Sequence, residues 1–147
     1  MKWYIVFMLL FNSMYGSILK QEKPQELTAE ISLYKEETGE VDLEKIVSAK
    51  EKQTIGFKIK EQIIVGVVEK VDVTLGVLRI TGSFPNYKNS QFIFEFRKLD
   101  DKQVQIIGVL LFRNLYKFYT LEFDKVKKIL YFEEKSLDKE VSENKKQ

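Results

Sequence analysis

The chain has 147 residues, and its 24 basic and 22 acidic side chains leave a formal charge of +2, too even a balance to draw nucleic acid or an anionic membrane. Histidine and cysteine are both absent, which removes imidazole bases, thiolate nucleophiles, disulfide staples and the usual zinc ligands. Forty-four per cent of residues are apolar, with 11 Phe and 7 Tyr, enough for one core that holds without staples.

Lys2 opens the chain, followed by the apolar run Trp3 to Phe11 and the small or polar group Asn12 to Ser17. A charged start, a short apolar stretch and a small-residue exit form the pattern of a secretory signal peptide. The apolar run falls short of the roughly 20 residues that span a bilayer. Residues 1–17 are therefore expected to be a signal peptide cleaved near Gly16 or Ser17, giving a secreted or periplasmic protein. Membrane contact would come only through an uncleaved leader, since no cysteine follows to carry a lipid. Residues 18–27 are polar, contain Pro24, and read as a flexible lead-in.

Residues 28–132 read as one β-domain. Ile31, Leu33 and Tyr34 suggest a first strand within Thr28 to Glu36, ended by the turn Glu37-Thr38-Gly39-Glu40. Asp42 then stands as N-cap of a short helix in which Leu43, Ile46 and Val47 share a face. From Thr54 the period becomes two: Ile55, Phe57 and Ile59 alternate with Gly56, Lys58 and Lys60. Ile63 to Val68, apolar on both faces, reads as a central strand running on to Val73. A strand around Leu78 and Ile80 ends at Gly82, and the Phe84 to Asn89 loop has the turn chemistry of Pro and Asn.

Phe92, Phe94 and Phe96 then alternate with Gln91, Ile93, Glu95 and Arg97 in the clearest strand of the chain. Val104 to Phe112, Tyr116 to Phe123 and Lys128 to Phe132 complete the series, with hairpins at Asp100-Asp101-Lys102 and Arg113-Asn114. Short links between consecutive strands predict an all-β fold, an antiparallel meander forming a β-sandwich or small barrel, with one short N-terminal helix. Residues 133–147 are nearly all charged or polar and read as a disordered tail.

The residues that carry chemistry in other folds have plainer roles here. Glu69, Asp72, Glu95, Glu122 and Asp124 lie in or beside strands; a solvated sheet face accounts for them better than a glycosidase pair does. Asp100-Asp101 lacks the spacing of a calcium loop. Ser83 and Ser90 have no histidine to activate them and no Gly-x-Ser-x-Gly elbow. The glycines at 56, 66, 76, 82 and 108 are dispersed, not gathered into a phosphate loop, and inside strands they mark bulges or close backbone approach. Tyr116, Phe118 and Tyr119 alternate with cations, as single-strand stacking platforms do, but core packing explains them better. Lysines within several strands exclude the lipid-facing band of an outer-membrane barrel. The expectation is a non-enzyme: no catalytic residues, no metal site, no small-molecule cofactor and no nucleic-acid partner.

From Ile55 to Phe123 the chain resembles the propeptide domain that precedes adamalysin/reprolysin-type zinc metalloproteases and related bacterial secreted proteases. The resemblance runs through Leu78-Arg79-Ile80-Thr81-Gly82, the loop through Asn86, Ser90-Gln91-Phe92-Ile93-Phe94, Ile107-Gly108-Val109 and Tyr116 to Leu121. It covers about half the chain, without the zinc-binding His-Glu-x-x-His helix or the blocking cysteine. The likeness implies a protein partner: a prodomain-like inhibitor or chaperone of a secreted protease, acting in trans. A structural or adhesive envelope module for protein or polysaccharide is the alternative. The expected contact surfaces are the Phe84–Asn89 loop, an edge strand and the tail, because loops and edges carry recognition on rigid sheets.

Overall fold

A computed structural model describes Leu19 and residues 26–136. The expected leader, most of the lead-in and the last eleven residues of the tail lie outside the described residues. Eight strands form one sheet in sequence order: β1 Ile31–Ser32, β2 Thr54–Ile59, β3 Gln62–Thr74, β4 Val77–Ser83, β5 Ser90–Lys98, β6 Val104–Phe112, β7 Lys117–Asp124 and β8 Ile129–Ser136. The fold is all-β, and the meander curls into a half-barrel instead of splitting into two sheets. β-Branched and aromatic side chains fill these runs because they suit a pleated surface buried on one side. β8 runs four residues past the expected domain end. The charges from Glu133 to Lys135 hide the strand's end from a hydropathy reading, yet Glu134 is held by Lys117 at 3.2 Å and Lys60 at 3.9 Å.

From β2 to β8 every neighbouring pair is antiparallel, but β1 lies parallel to β2, Ile31 opposite Ile55 and Ser32 opposite Gly56. The expected antiparallel meander is present from β2 onward, and β1 is the exception, for a connection of some twenty residues leaves room for the crossover that parallel strands require. That connection is a strap across the curled sheet. Tyr34 bridges Val41, the Val41 N–H donates to the Leu130 carbonyl of β8 at 3.0 Å, and the Lys52 N–H donates to the Val68 carbonyl of β3 at 2.7 Å. Between these fastenings lies helix α1, Leu43–Val47, a little over one turn long. Ile46 is buried and Leu43 packs against the core, while Val47 is about half exposed, so the expected apolar face is only partly used. Asp42 occupies the N-cap position without making a side-chain cap.

The concave face is lined by aromatic rings. Phe57 packs against Phe84, Phe92, Phe94 and Phe132, with centroids 5.2–6.1 Å apart. Phe92 and Phe94 are fully buried and Phe96 nearly so, as their alternation predicts. Glycines on β3, β4 and β6 make room for them. A Cβ at Gly82 would collide with the Val67 carbonyl and the Phe92 ring; at Gly66 it would lie 2.9 Å from Phe92, and at Gly108 3.0 Å from Phe94. The expected reading of strand glycines as points of close approach holds at these three positions.

Because the obstacle at Gly82 includes backbone, which cannot swing aside, Gly82→Ala should cost about 3 kcal/mol or more, the top of the usual range for an overfilled core. Urea unfolding measures it; an unchanged midpoint would show that the glycine does not set the ring's place.

Candidate functional site

In a meander the turns alternate between two ends. The β2–β3, β4–β5 and β6–β7 links gather at one, here called the loop end; the β3–β4, β5–β6 and β7–β8 turns gather at the other, the hairpin end.

The loop end is packed shut. Phe84, Asn86 and Tyr87 are buried, so the Phe84–Asn89 loop is not the projecting contact surface that its turn residues suggest. Its apolar side chains win: Phe84 stacks on Phe112 at 4.9 Å and Tyr87 meets the same ring at 5.3 Å. Ser90 fastens the loop, its hydroxyl accepting the Phe84 N–H at 3.0 Å and donating to the Tyr87 carbonyl at 2.7 Å. Leu19, from the expected lead-in, is buried here too. The Gln62 side-chain amide accepts its N–H at 3.3 Å and donates to its carbonyl at 3.2 Å, imitating a strand neighbour. Tyr119 is wholly buried nearby in sequence register with Leu110, and burial pushes its phenol strongly up.

The hairpin end is unlike it. The inward row Val73, Leu78, Phe96 and Ile106 runs across β3 to β6, each residue opposite the next. It emerges into solvent with Val73 72% exposed, and the inward Val104 and Phe123 beside it are 56% and 55% exposed. Leu75 and Val126, at the tips of two hairpins, are 99% and 92% exposed. A pocket of about 280 Å³ lies where Phe123 and Leu130 face Val41 and Leu43 of the strap. Several apolar side chains open on one end of a small domain mark an interaction surface more often than isolated exposed residues do.

The sheet also forks at this end. β6 and β7 are paired only from Val109–Thr120 to Phe112–Lys117. Beyond that, β6 continues to Val104 paired with β5 alone, and β7 continues to Asp124 paired with β8 alone. The Leu99 N–H donates to the Gln103 carbonyl at 2.9 Å and the Arg113 N–H to the Asn89 carbonyl at 3.2 Å. Those two bonds fix the phase of the β5–β6 ladder: odd-numbered residues of β6 bond β5, and the main-chain groups of Val104 and Ile106 face the fork. The same alternation turns Phe123 of β7 toward it from the other side.

The carboxylates singled out in the sequence do not gather. Glu95 lies on the convex face, bonded by Arg79 at 3.1 Å and Arg97 at 3.3 Å. Asp72 is across β4 from it with Arg79 between. Glu122 takes a hydrogen bond from Thr120 at 2.9 Å, while Asp124 and Asp100 accept main-chain N–H groups of their own turns. Glu69 is exposed. Among the described residues no group of three carboxylates is placed to hold a metal ion. Of the stretch Arg113 to Tyr119, Tyr119 enters the core and Tyr116 turns out at a left-handed φ of 53°.

The chain matches no family model, no curated protein and no solved structure. The site is therefore read from its geometry. Sequence patterning pointed to an edge strand without locating it. The signal was present in Val104-Gln105-Ile106-Ile107, four uncharged residues, and in Leu75 and Val126, apolar residues placed in turns.

Glu95 sets one pH dependence. The Arg79 hydrogen bond, opposed by partial desolvation, holds its carboxyl below the ordinary 4.5 in the folded protein. A group depressed on folding stabilises above its unfolded pKa and loses that contribution as pH falls through the folded value. Stability should decline as the solution is acidified below about pH 4.5, and Glu95→Gln should make the decline shallower. Superimposable pH profiles of unfolding for the two proteins would contradict this.

Proposed function

We propose that this is an exported, non-catalytic β-domain that binds another protein through its hairpin end. The observation that carries the reading is the opening of the apolar interior there: Val73, Val104 and Phe123 meet solvent beneath the exposed tips Leu75 and Val126. Exposing them costs hydrophobic stabilisation, roughly 1.5–3 kcal/mol for each large side chain left in water. A binding partner recovers that cost. At the other end Phe84, Tyr87, Phe112 and Tyr119 are buried, and although Ile63 and Tyr116 are exposed there, the interior-facing positions are closed, so the contrast is not a general shortage of core.

Its concrete form is a prodomain-like inhibitor or chaperone of a secreted protease, acting in trans. Support comes from the residues of the resemblance, which fall on β4, the β4–β5 loop, β5, β6 and β7 in sequence order. Export rests on Lys2, the apolar run Trp3 to Phe11 and the exit at Asn12 to Ser17.

The test uses the exported fraction of the native host. The protein recovered from it should begin near residue 17 or 18, and should retain and slow a protease of that fraction. Leu75→Ser combined with Val126→Ser should weaken retention at least tenfold without shifting the unfolding midpoint, since neither side chain is buried. Recovery of a cytosolic protein with Met1 intact would overturn export. Retention of glycan or envelope protein in place of a protease would transfer the assignment to the adhesive alternative.

A further inference from the structure

Resting on the reading of the hairpin end as a protein-binding surface, we infer that the fork between β6 and β7 takes an extended segment of the partner, which adds as a strand to the Val104–Ile107 edge. Val104 and Ile106 turn two N–H donors and two carbonyl acceptors toward the fork, in the spacing of a strand that lacks its neighbour. Such an edge recognises an extended peptide whatever its sequence, with selectivity left to alternate side chains.

The way the molecule treats another open stretch of strand inside the sheet makes this one conspicuous. β3 outruns β2 beyond Val67, and that edge is closed by several devices at once. A register shift falls between Val68 and Lys70; Glu69, Lys70 and Asp72 place charges along it; Lys52 and Gln53 bond Val68; and the Glu51 carboxylate accepts the Val71 N–H at 3.2 Å. Bulges, charges and covering segments are the usual protection against unwanted strand pairing. Val104-Gln105-Ile106-Ile107 carries no charge, no proline and no register shift. It is left open.

The surroundings define the occupant. The fork is bounded by β7 on its far side, so the edge strand of another folded domain, with its own neighbours attached, would collide there; a single extended segment would not. Residues of the segment that point inward would meet Val104 and Phe123 and should be apolar. The flanking turns hold Lys98, Lys102, Lys125, Lys127 and Lys128 against Asp100, Asp101 and Asp124. Of those three carboxylates, Asp100 and Asp124 cap their own turns, and Asp101 stands 3.9 Å from Lys98. Glu40, Asp42 and Glu44 of the strap lie with Lys35 at the pocket beside Phe123, and the excess of lysine is confined to the turns, where it favours carboxylates on either side of the apolar stretch. The partner segment is thus extended, apolar at alternate positions and acidic at its flanks.

A peptide of sequence Glu-Glu-Val-Thr-Val-Thr-Val-Glu-Glu serves as probe, titrated into the full chain and followed by amide NMR. Binding should slow hydrogen exchange at Val104 and Ile106 at least tenfold. Val104→Pro removes a donor that faces the fork and leaves the β5 ladder intact, and it should weaken binding at least tenfold; Gln105→Lys, which adds a guard charge, should do likewise. Replacing the glutamates of the probe by lysines should weaken it, and replacing its central valine together with both threonines by proline, which removes donors facing either side, should abolish binding. Undiminished binding by both variants would overturn strand addition; if Phe123→Ser alone then abolished it, the hairpin end would remain a binding surface of another kind. Protection of Val104 and Ile106 without peptide, rising with protein concentration, would assign the edge to a second copy and overturn the inference. Failure of every peptide, while a host protease is still retained through Leu75 and Val126, would reject the inference and spare the functional reading.

Discussion

The fit of aromatic rings over strand glycines is the constraint on which this molecule depends. Phe57, Phe92 and Phe94 fill the hollow of a sheet that has only one layer, and they fit because Gly66, Gly82 and Gly108 offer backbone where other residues would offer side chain. A single sheet with one short helix has no second layer to bury its face. It must curl until its own side chains meet, and bulky rings opposite glycine permit that curl where uniform side chains would hold the strands apart. The strap completes the enclosure, tying β8 to β3 and setting Ile46 and Ala49 into the core.

The difference between the two ends follows from how closely the rings pack at each. Phe84, Tyr87 and Phe112 extend the aromatic packing through the loop end, and Leu19 is drawn in with them by the Gln62 amide. Toward the hairpin end the inward positions pass to Val73, Leu78, Phe96, Ile106 and Phe123, with no strap or loop fully over them. The β6–β7 ladder ends beside Gly108, where the missing side chain lets Leu121 come close. One position further out on that face is Ile106, and the strands have parted. Closure at one end and exposure at the other are two results of one distribution of large and small side chains.

Much of this was legible in the residues. Period-two alternation and runs apolar on both faces locate seven strands, most with bounds within a residue or two, and the run Phe92, Phe94, Phe96 identifies the buried face. Three properties were not legible, each for a physical reason. Pairing direction at β1 is set by the long crossover and not by the side chains of Ile31 or Ser32. The inward turn of Phe84 and Tyr87 came from tertiary packing, which overrode the local preference of Pro85 and Asn86 for a projecting loop. The fork reflects the extent of a ladder, and patterning within Val104 to Phe112 is the same whether or not β7 follows it to the end. The candidate site thus lay in the least readable property of the sheet.

The central claim is that one molecule holds a sealed end and an open, unguarded edge. Native-state hydrogen exchange resolved by residue measures this most directly, because exchange reports local opening from near zero up to global stability. The account predicts amides at Leu110 and Tyr119 protected to the level of global unfolding, and amides at Val104 and Ile106 of the same strand system exchanging orders of magnitude faster in the free protein. Equal protection at Val104, Ile106 and Leu110 would mean that the β6 edge is already paired, and would contradict it.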